Sequence, residues 1–169
     1  MLKVIIGIVL FCISSYIGYF YGESFRKRYV HLKEVNKIIT LLQNEVLFNT
    51  TPLPEALSIV GSKTIYPFKE LLIDTSNNLS HEGLITSFKS SYLNYEKEIY
   101  FYEEDKHVLQ DFIKSLGDTG LYGQEKIFKL VLENLKINLK DALELSEKNT
   151  KMYRYLGLCM GAMIFIFII

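Results

Sequence analysis

A chain of 169 residues leaves room for one modest domain, and that allowance must include any segment that crosses a membrane. Nineteen Lys and Arg balance nineteen Asp and Glu, so no basic excess argues for nucleic acid as a partner. Hydrophobic residues make up 49% and charged residues 22%, yet almost no charge lies near either end.

From Val4 to Gly22 the sequence VIIGIVLFCISSYIGYFYG carries no charge, close to the roughly 20 residues a helix needs to cross hydrocarbon. We therefore expect an N-terminal transmembrane helix over residues 1–22. A cleaved signal peptide is the rival reading; the bulky, aromatic far end and the cations Arg26, Lys27 and Arg28 that follow at once oppose it. Ser14, Gly18 and Gly22 recur every four residues, which places small side chains on one face where a second backbone can approach. Scattered glycine is also common in membrane helices, so the spacing alone leaves both readings open.

The span is expected to continue into a bundle helix, because Leu32, Val35, Ile39, Leu42 and Val46 recur at three-four spacing with Ile38 and Leu41 beside them. Asn49, Thr50, Thr51 and Pro52 should stop it. Pro54 and Pro67 suit the first turns of short helices over about 54–61 and 67–79. Ser80 is the expected cap of a further helix bearing Leu84, Ile85, Phe88, Tyr92 and Tyr95 on one side. Of the aromatic residues Tyr92, Tyr95, Tyr100, Phe101 and Tyr102, about half are read as core and the rest as a partner surface.

The acidic residues Glu103, Glu104 and Asp105 suit a helix N-terminus. They are also the candidate docking patch for basic groups on a partner, against the plainer reading of a solvated first turn. Val108, Leu109, Phe112, Ile113 and Leu116 give that helix its apolar face. Gly117, Gly120 and Gly123 mark a turn, and from about Gln124 the stripe Phe128, Val131, Leu132, Leu135, Leu139, Ala142 predicts a long helix running toward the second apolar segment.

That segment, Leu156 to Ile169, is short for a full span unless Tyr153 and Tyr155 sit among headgroups and Arg154 snorkels. We expect it to insert; an apolar helix docked on a soluble domain is the alternative. Gly157 and Gly161 repeat the four-residue spacing and join Ser14, Gly18 and Gly22 as candidate packing positions. Cations cluster on the inner flank of each segment, Arg26, Lys27, Arg28 and Lys33 after the first and Lys148, Lys151 and Arg154 before the second. That pattern puts residues 23–155 in the cytosol. The expected fold is therefore all-α: a compact cytosolic bundle of about six helices between two transmembrane helices.

Residues for chemistry are few. His31, His81 and His107 stand apart as solvated helix residues, with no HExxH or CxxC arrangement, so neither a metal nor another cofactor is expected. GDTGLYGQEK lacks the Lys and Ser/Thr pair of a phosphate loop and reads as a helix-joining turn. Cys12 and Cys159 lie in the apolar ends and imply no disulfide framework. No catalytic residue and no small-molecule substrate is expected.

The order of features nevertheless resembles a known family. An N-terminal span and a basic helix precede Thr51-Pro52-Leu53-Pro54-Glu55-Ala56-Leu57; a late Leu116-Gly117-Asp118-Thr119 turn, Gln124 opening a long helix, and Tyr153 before Leu156-Gly157 follow. Along nearly the whole chain this resembles the stage III sporulation protein AB family. That family in turn looks like the cytoplasmic domain of the inner-membrane platform protein of type II secretion and type IV pilus systems. Asp118 and Thr119 depart from the acidic pair that platform proteins favour, so the second likeness is one of fold. The resemblance implies a non-enzymatic scaffold in the mother-cell membrane, part of a sporulation channel complex linking mother cell and forespore. Its implied partners are the membrane, other channel subunits, a cytosolic secretion-type ATPase and further copies of itself. A small pore-forming or transport subunit, or a membrane-tethered signalling module, are the alternatives; neither span carries an internal charge to line a pathway.

Overall fold

The computed structural model describes residues 2–118 and 121–168, and these are helical with no strand among them. Six α-helices follow in order: α1 (Leu2–Gln43), α2 (Leu53–Ser62), α3 (Phe68–Asn78), α4 (Leu84–Tyr95), α5 (Glu103–Asp118) and α6 (Leu121–Ile168). A π-helical turn, Asn44–Phe48, closes α1, and a single 3-10 turn, Glu96–Glu98, follows α4. The apolar ends are the outer parts of α1 and α6, and each of these helices holds a stretch long and apolar enough to cross a membrane.

The chain divides into two units, and the division falls inside both long helices. The first is Met1–Tyr29 with Lys140–Ile169; the second is Val30–Leu139.

The second unit is built on the expected periodicities. Leu32, Val35, Ile39 and Leu42 of α1 and Val46 of the π-helical turn are buried, as are Phe128, Val131 and Leu135 of α6. Side chains at three-four spacing share one helix face, which is why a single stripe from each long helix enters the core. Leu57 and Val60 of α2, Phe68 and Leu71 of α3, Phe88 of α4 and Phe112 of α5 complete that core. Phe112 meets Phe128 edge to face at 5.3 Å between ring centres, an arrangement favoured by the ring quadrupoles.

The helix stops follow local chemistry. After the π-helical turn, Thr50 takes φ 52 and the Thr51 N–H donates to the Glu45 carbonyl at 2.9 Å, which ends the helix ahead of Pro52. Pro54 lies in the first turn of α2 and Pro67 immediately precedes α3, positions where a missing N–H costs no helical bond.

Three local expectations need correction. The start of α4 is capped by Gly83, in extended geometry, and not by Ser80; the intervening turn is held by bonds from His81 and Glu82 N–H groups to the Asn78 carbonyl. The last long helix begins at Leu121, which puts Gly123 inside its first turn. The expected turn at Gly117, Asp118, Thr119 and Gly120 is described only as far as the end of α5, for Thr119 and Gly120 lie outside the described residues.

His31 is the third correction. It is not a solvated helix residue: its Nδ1 accepts the Tyr100 backbone N–H at 3.1 Å, and Phe68, Tyr100 and Phe101 surround its ring. The ring fixes the irregular strand of chain before α5 against α1. His81 and His107 are exposed.

Candidate functional site

In the first unit the usual distribution of sizes is inverted. The buried positions in the apolar ends are Gly7, Gly18, Gly22, Gly157 and Gly161. Large side chains such as Ile5, Ile13, Ile17, Phe20, Leu158, Met163 and Phe167 point outward, with 46% or more of their surface exposed. A water-soluble domain buries its large apolar residues; helices that pair in lipid bring small residues together and leave the large ones to the solvent hydrocarbon.

The outer parts of α1 and α6 run antiparallel along this face. Phe165 packs at Gly7, Phe11 at Gly161, Ser14 and Gly18 at Gly157, and Thr150 at Gly22. The approach is closest in the middle: a methyl built on Gly18 would lie 2.6 Å from the Tyr153 carbonyl oxygen and 2.7 Å from the Gly157 Cα. No other residue fits there without moving a backbone. Two hydroxyls use the same closeness. Ser14 donates to the Gly157 carbonyl at 3.1 Å and Thr150 to the Gly22 carbonyl at 3.1 Å, cross-helix bonds of a kind worth about 0.6 kcal/mol in membrane proteins. All five candidate packing residues thus meet on one face.

A polar and aromatic belt closes the pair at one end. Glu23 receives Arg154 from α6 at 3.1 Å and also binds Arg26 of its own helix. The Arg154 guanidinium lies over the Tyr19 ring at 4.6 Å, while Tyr153 stacks on Phe25 at 5.6 Å and on Tyr21 at 6.3 Å. Beyond the belt the buried Arg28 pairs with Asp141 at 2.9 Å. Tyrosine bodies and long cationic stems are the side chains that sit comfortably at a boundary between hydrocarbon and water. From Val4 to Gly22 a helix rises about 28 Å, close to the thickness of a hydrocarbon core. The stretch beyond Arg154 in α6 is about 20 Å, the shorter of the two.

In the second unit the acidic trio at the start of α5 separates into different environments. Glu103 and Glu104 are exposed, and Glu103 accepts Lys106 Nζ at 3.0 Å. Asp105 is 1% exposed. Its carboxylate accepts the Tyr102 N–H at 2.9 Å and the Asn138 amide of α6 at 2.9 Å. As third residue of α5, Asp105 reaches back to an orphan N–H just before the helix, half of a capping box. A side chain so occupied holds the fold and leaves Glu103 and Glu104 as the surface part of the patch. Lys106, bonded first to Glu103 and then to Glu96, keeps its ammonium above the usual lysine range.

The aromatic stretch also splits. Tyr92 lies half-buried on Phe88, Tyr95 donates to Asp74 at 2.8 Å, and Tyr102 is 44% exposed. Cys12 and Cys159 are free thiols on the outward face. Among the described residues no group of three or more His, Cys, Asp or Glu could hold a metal ion.

Comparison with known proteins bears on the whole of this arrangement. A family model described as stage III sporulation protein AB matches residues 3–169. Stage III sporulation protein AB of Bacillus subtilis (strain 168) is 22% identical over 166 residues, 97% of each chain. A solved structure of stage III sporulation protein AB shares the fold with a TM-score of 0.66, at 21% identity over 71% of this chain and 96% of that one.

Proposed function

Because the chain belongs to the stage III sporulation protein AB family, we propose that it is a non-enzymatic membrane scaffold of a sporulation complex. In this reading α1 and α6 cross the mother-cell membrane as an antiparallel pair and present the helical unit Val30–Leu139 to the cytosol. The observation that carries it is the inverted first unit, with glycines at the helix contact and large apolar residues outside. Such a surface would cost roughly 25 cal/mol for every Å² of apolar area left in water. Lipid removes that cost, and the outward face supports a bilayer as its surroundings.

The work of such a scaffold is contact and orientation. Likeness of this family to secretion and pilus platform proteins favours a cytosolic secretion-type ATPase as partner, with other complex subunits meeting the same unit. The exposed Glu103 and Glu104 supply a negative docking point, whose charge steers encounter more than it adds affinity.

The test uses the full chain in lipid nanodiscs and the cytosolic secretion-type ATPase of the same sporulation system. Saturable binding that weakens in Glu103→Lys/Glu104→Lys supports both the coupling and the docking point; binding that is unchanged moves the contact elsewhere. Absence of binding at high micromolar concentration would remove the ATPase from the scheme. Orientation is checked separately with Lys97→Cys in a Cys12→Ala/Cys159→Ala background. An impermeant thiol reagent should label it only after the cells are opened, and labelling of intact cells would reverse the topology.

A further inference from the structure

One edge of the α1/α6 pair carries cations at the belt and an apolar groove deeper in the span. On α1 the residues of this edge are Ile8, Phe11, Tyr19 and Arg26; on α6 they are Lys151, Arg154, Leu158, Ala162 and Phe165. Each set recurs at three-four spacing or its multiples, which keeps it on a single helix face. Two contacts bring the faces together. Arg154 lies over the Tyr19 ring at 4.6 Å, and Ile8 and Phe11 line a groove with Ala162, Phe165 and Ile166.

The belt end is positive. Arg26 and Arg154 share the carboxylate of Glu23, and they keep 57% and 41% of their side-chain surface exposed. Lys151, one turn from Arg154, is exposed as well. In residues 19–27 and 148–156 the other charges are Lys27 and Lys148, so five cations meet one carboxylate. Glu144 and Glu147, in the next turns of α6, reduce that excess without cancelling it, and Asp141 is taken by Arg28.

The deeper end is apolar. The groove holds about 340 Å³, and Ala162 on its lining lies about 16 Å along α6 from Lys151. That is close to half the thickness of a hydrocarbon core, the depth one lipid chain reaches from its headgroup. Tyr19 and Leu158 lie between, each about half exposed, and tyrosine suits the level where headgroup meets chain. A free phosphate would use the cations alone, and a third membrane helix the apolar part alone. A phospholipid with a negatively charged headgroup uses both, at this separation.

We propose that this edge of the α1/α6 pair binds an anionic phospholipid, its phosphate on Arg26, Lys151 and Arg154 and one acyl chain in the groove beside Ala162. The proposal rests on the reading of α1 and α6 as membrane spans, and it holds whichever leaflet the belt faces.

The full chain is reconstituted in phosphatidylcholine bilayers with traces of spin-labelled phosphatidylglycerol or spin-labelled phosphatidylcholine. Lipid held at the protein surface is read from the motionally restricted component of the spectrum. Phosphatidylglycerol should be held about fivefold more strongly, the share of one cation near an anionic headgroup. Arg26→Gln/Lys151→Gln, which leaves Arg154 on Glu23, should erase the preference; Lys126→Gln/Lys129→Gln, in the second unit, should keep it. Ala162→Phe changes no charge but fills the groove from an exposed position, and should also bring the two lipids to near parity. Inorganic phosphate at about 1 mM, too dilute to screen charge, should not compete. Equal restriction of the two lipids by the unaltered chain would keep the spans and overturn the site. So would a preference that survives Ala162→Phe, since a diffuse positive surface needs no groove, or one that phosphate removes, since the cations would then serve a soluble anion. Restriction of neither lipid would overturn the membrane reading, and the site with it.

Discussion

At Gly18 one hydrogen atom decides how near two helices come. A Cβ there would meet the Tyr153 carbonyl and the Gly157 Cα well inside van der Waals contact, so Gly18→Leu should force the pair apart. The expected cost is about 1–3 kcal/mol, the usual price of overpacking, read as a lowered midpoint when the purified chain is titrated with SDS in mixed micelles. An unchanged midpoint would mean that the glycine face does not hold the pair. Thr50 presents the opposite case, a residue whose side chain is the problem. A β-branched residue at φ 52 carries the steric cost of the left-handed region, which glycine does not. Part of that gain is returned as chain entropy, so Thr50→Gly should raise stability by up to about 1 kcal/mol in a denaturant titration. The four-residue spacing of the glycines is legible in sequence, whereas the strain at Thr50 is not: nothing in Asn49-Thr50-Thr51-Pro52 says which residue takes the turn.

Single residues also set how whole elements begin and pack. Asp105 looks in sequence like one third of a surface charge run, yet it is fixed beneath the start of α5 by the Tyr102 N–H and by Asn138 of α6. Asp105→Ala would strip a buried N–H and a buried amide of their acceptor, at about 1–3 kcal/mol. Glu104→Ala, at an exposed position one residue away, should leave melting unchanged; similar losses from the two would dissolve the distinction. Sequence periodicity could not separate them, because their difference lies in a partner 33 residues distant. On α6 the stripe of Phe128, Val131 and Leu135 was readable from spacing alone, and Leu135 is 1% exposed. Leu135→Asp places an unpaired carboxylate at a buried position of the α6 stripe, so the second unit should lose cooperative melting, a loss of at least about 4 kcal/mol. Retained cooperativity would place Leu135 outside the core.

For the molecule as a whole, the membrane reading makes a direct demand: the chain should remain in the membrane pellet after alkaline carbonate extraction, and release into the supernatant would return α1 and α6 to the role of docked soluble helices. The sequence by itself determined the helical class, the two apolar ends, most of the core stripes and the family resemblance. These are properties of neighbours along the chain, since helical periodicity and apolar run length are fixed within a few turns. Only the tertiary structure decided that Ser14, Gly18, Gly22, Gly157 and Gly161 share one contact, that His31 belongs to an aromatic cluster, that Gly83 and not Ser80 opens α4, and that α4 and α5 leave an open groove between them. Each of those depends on which residues far apart in sequence come within a few ångströms, and short-range spacing carries no information about the far side of a contact.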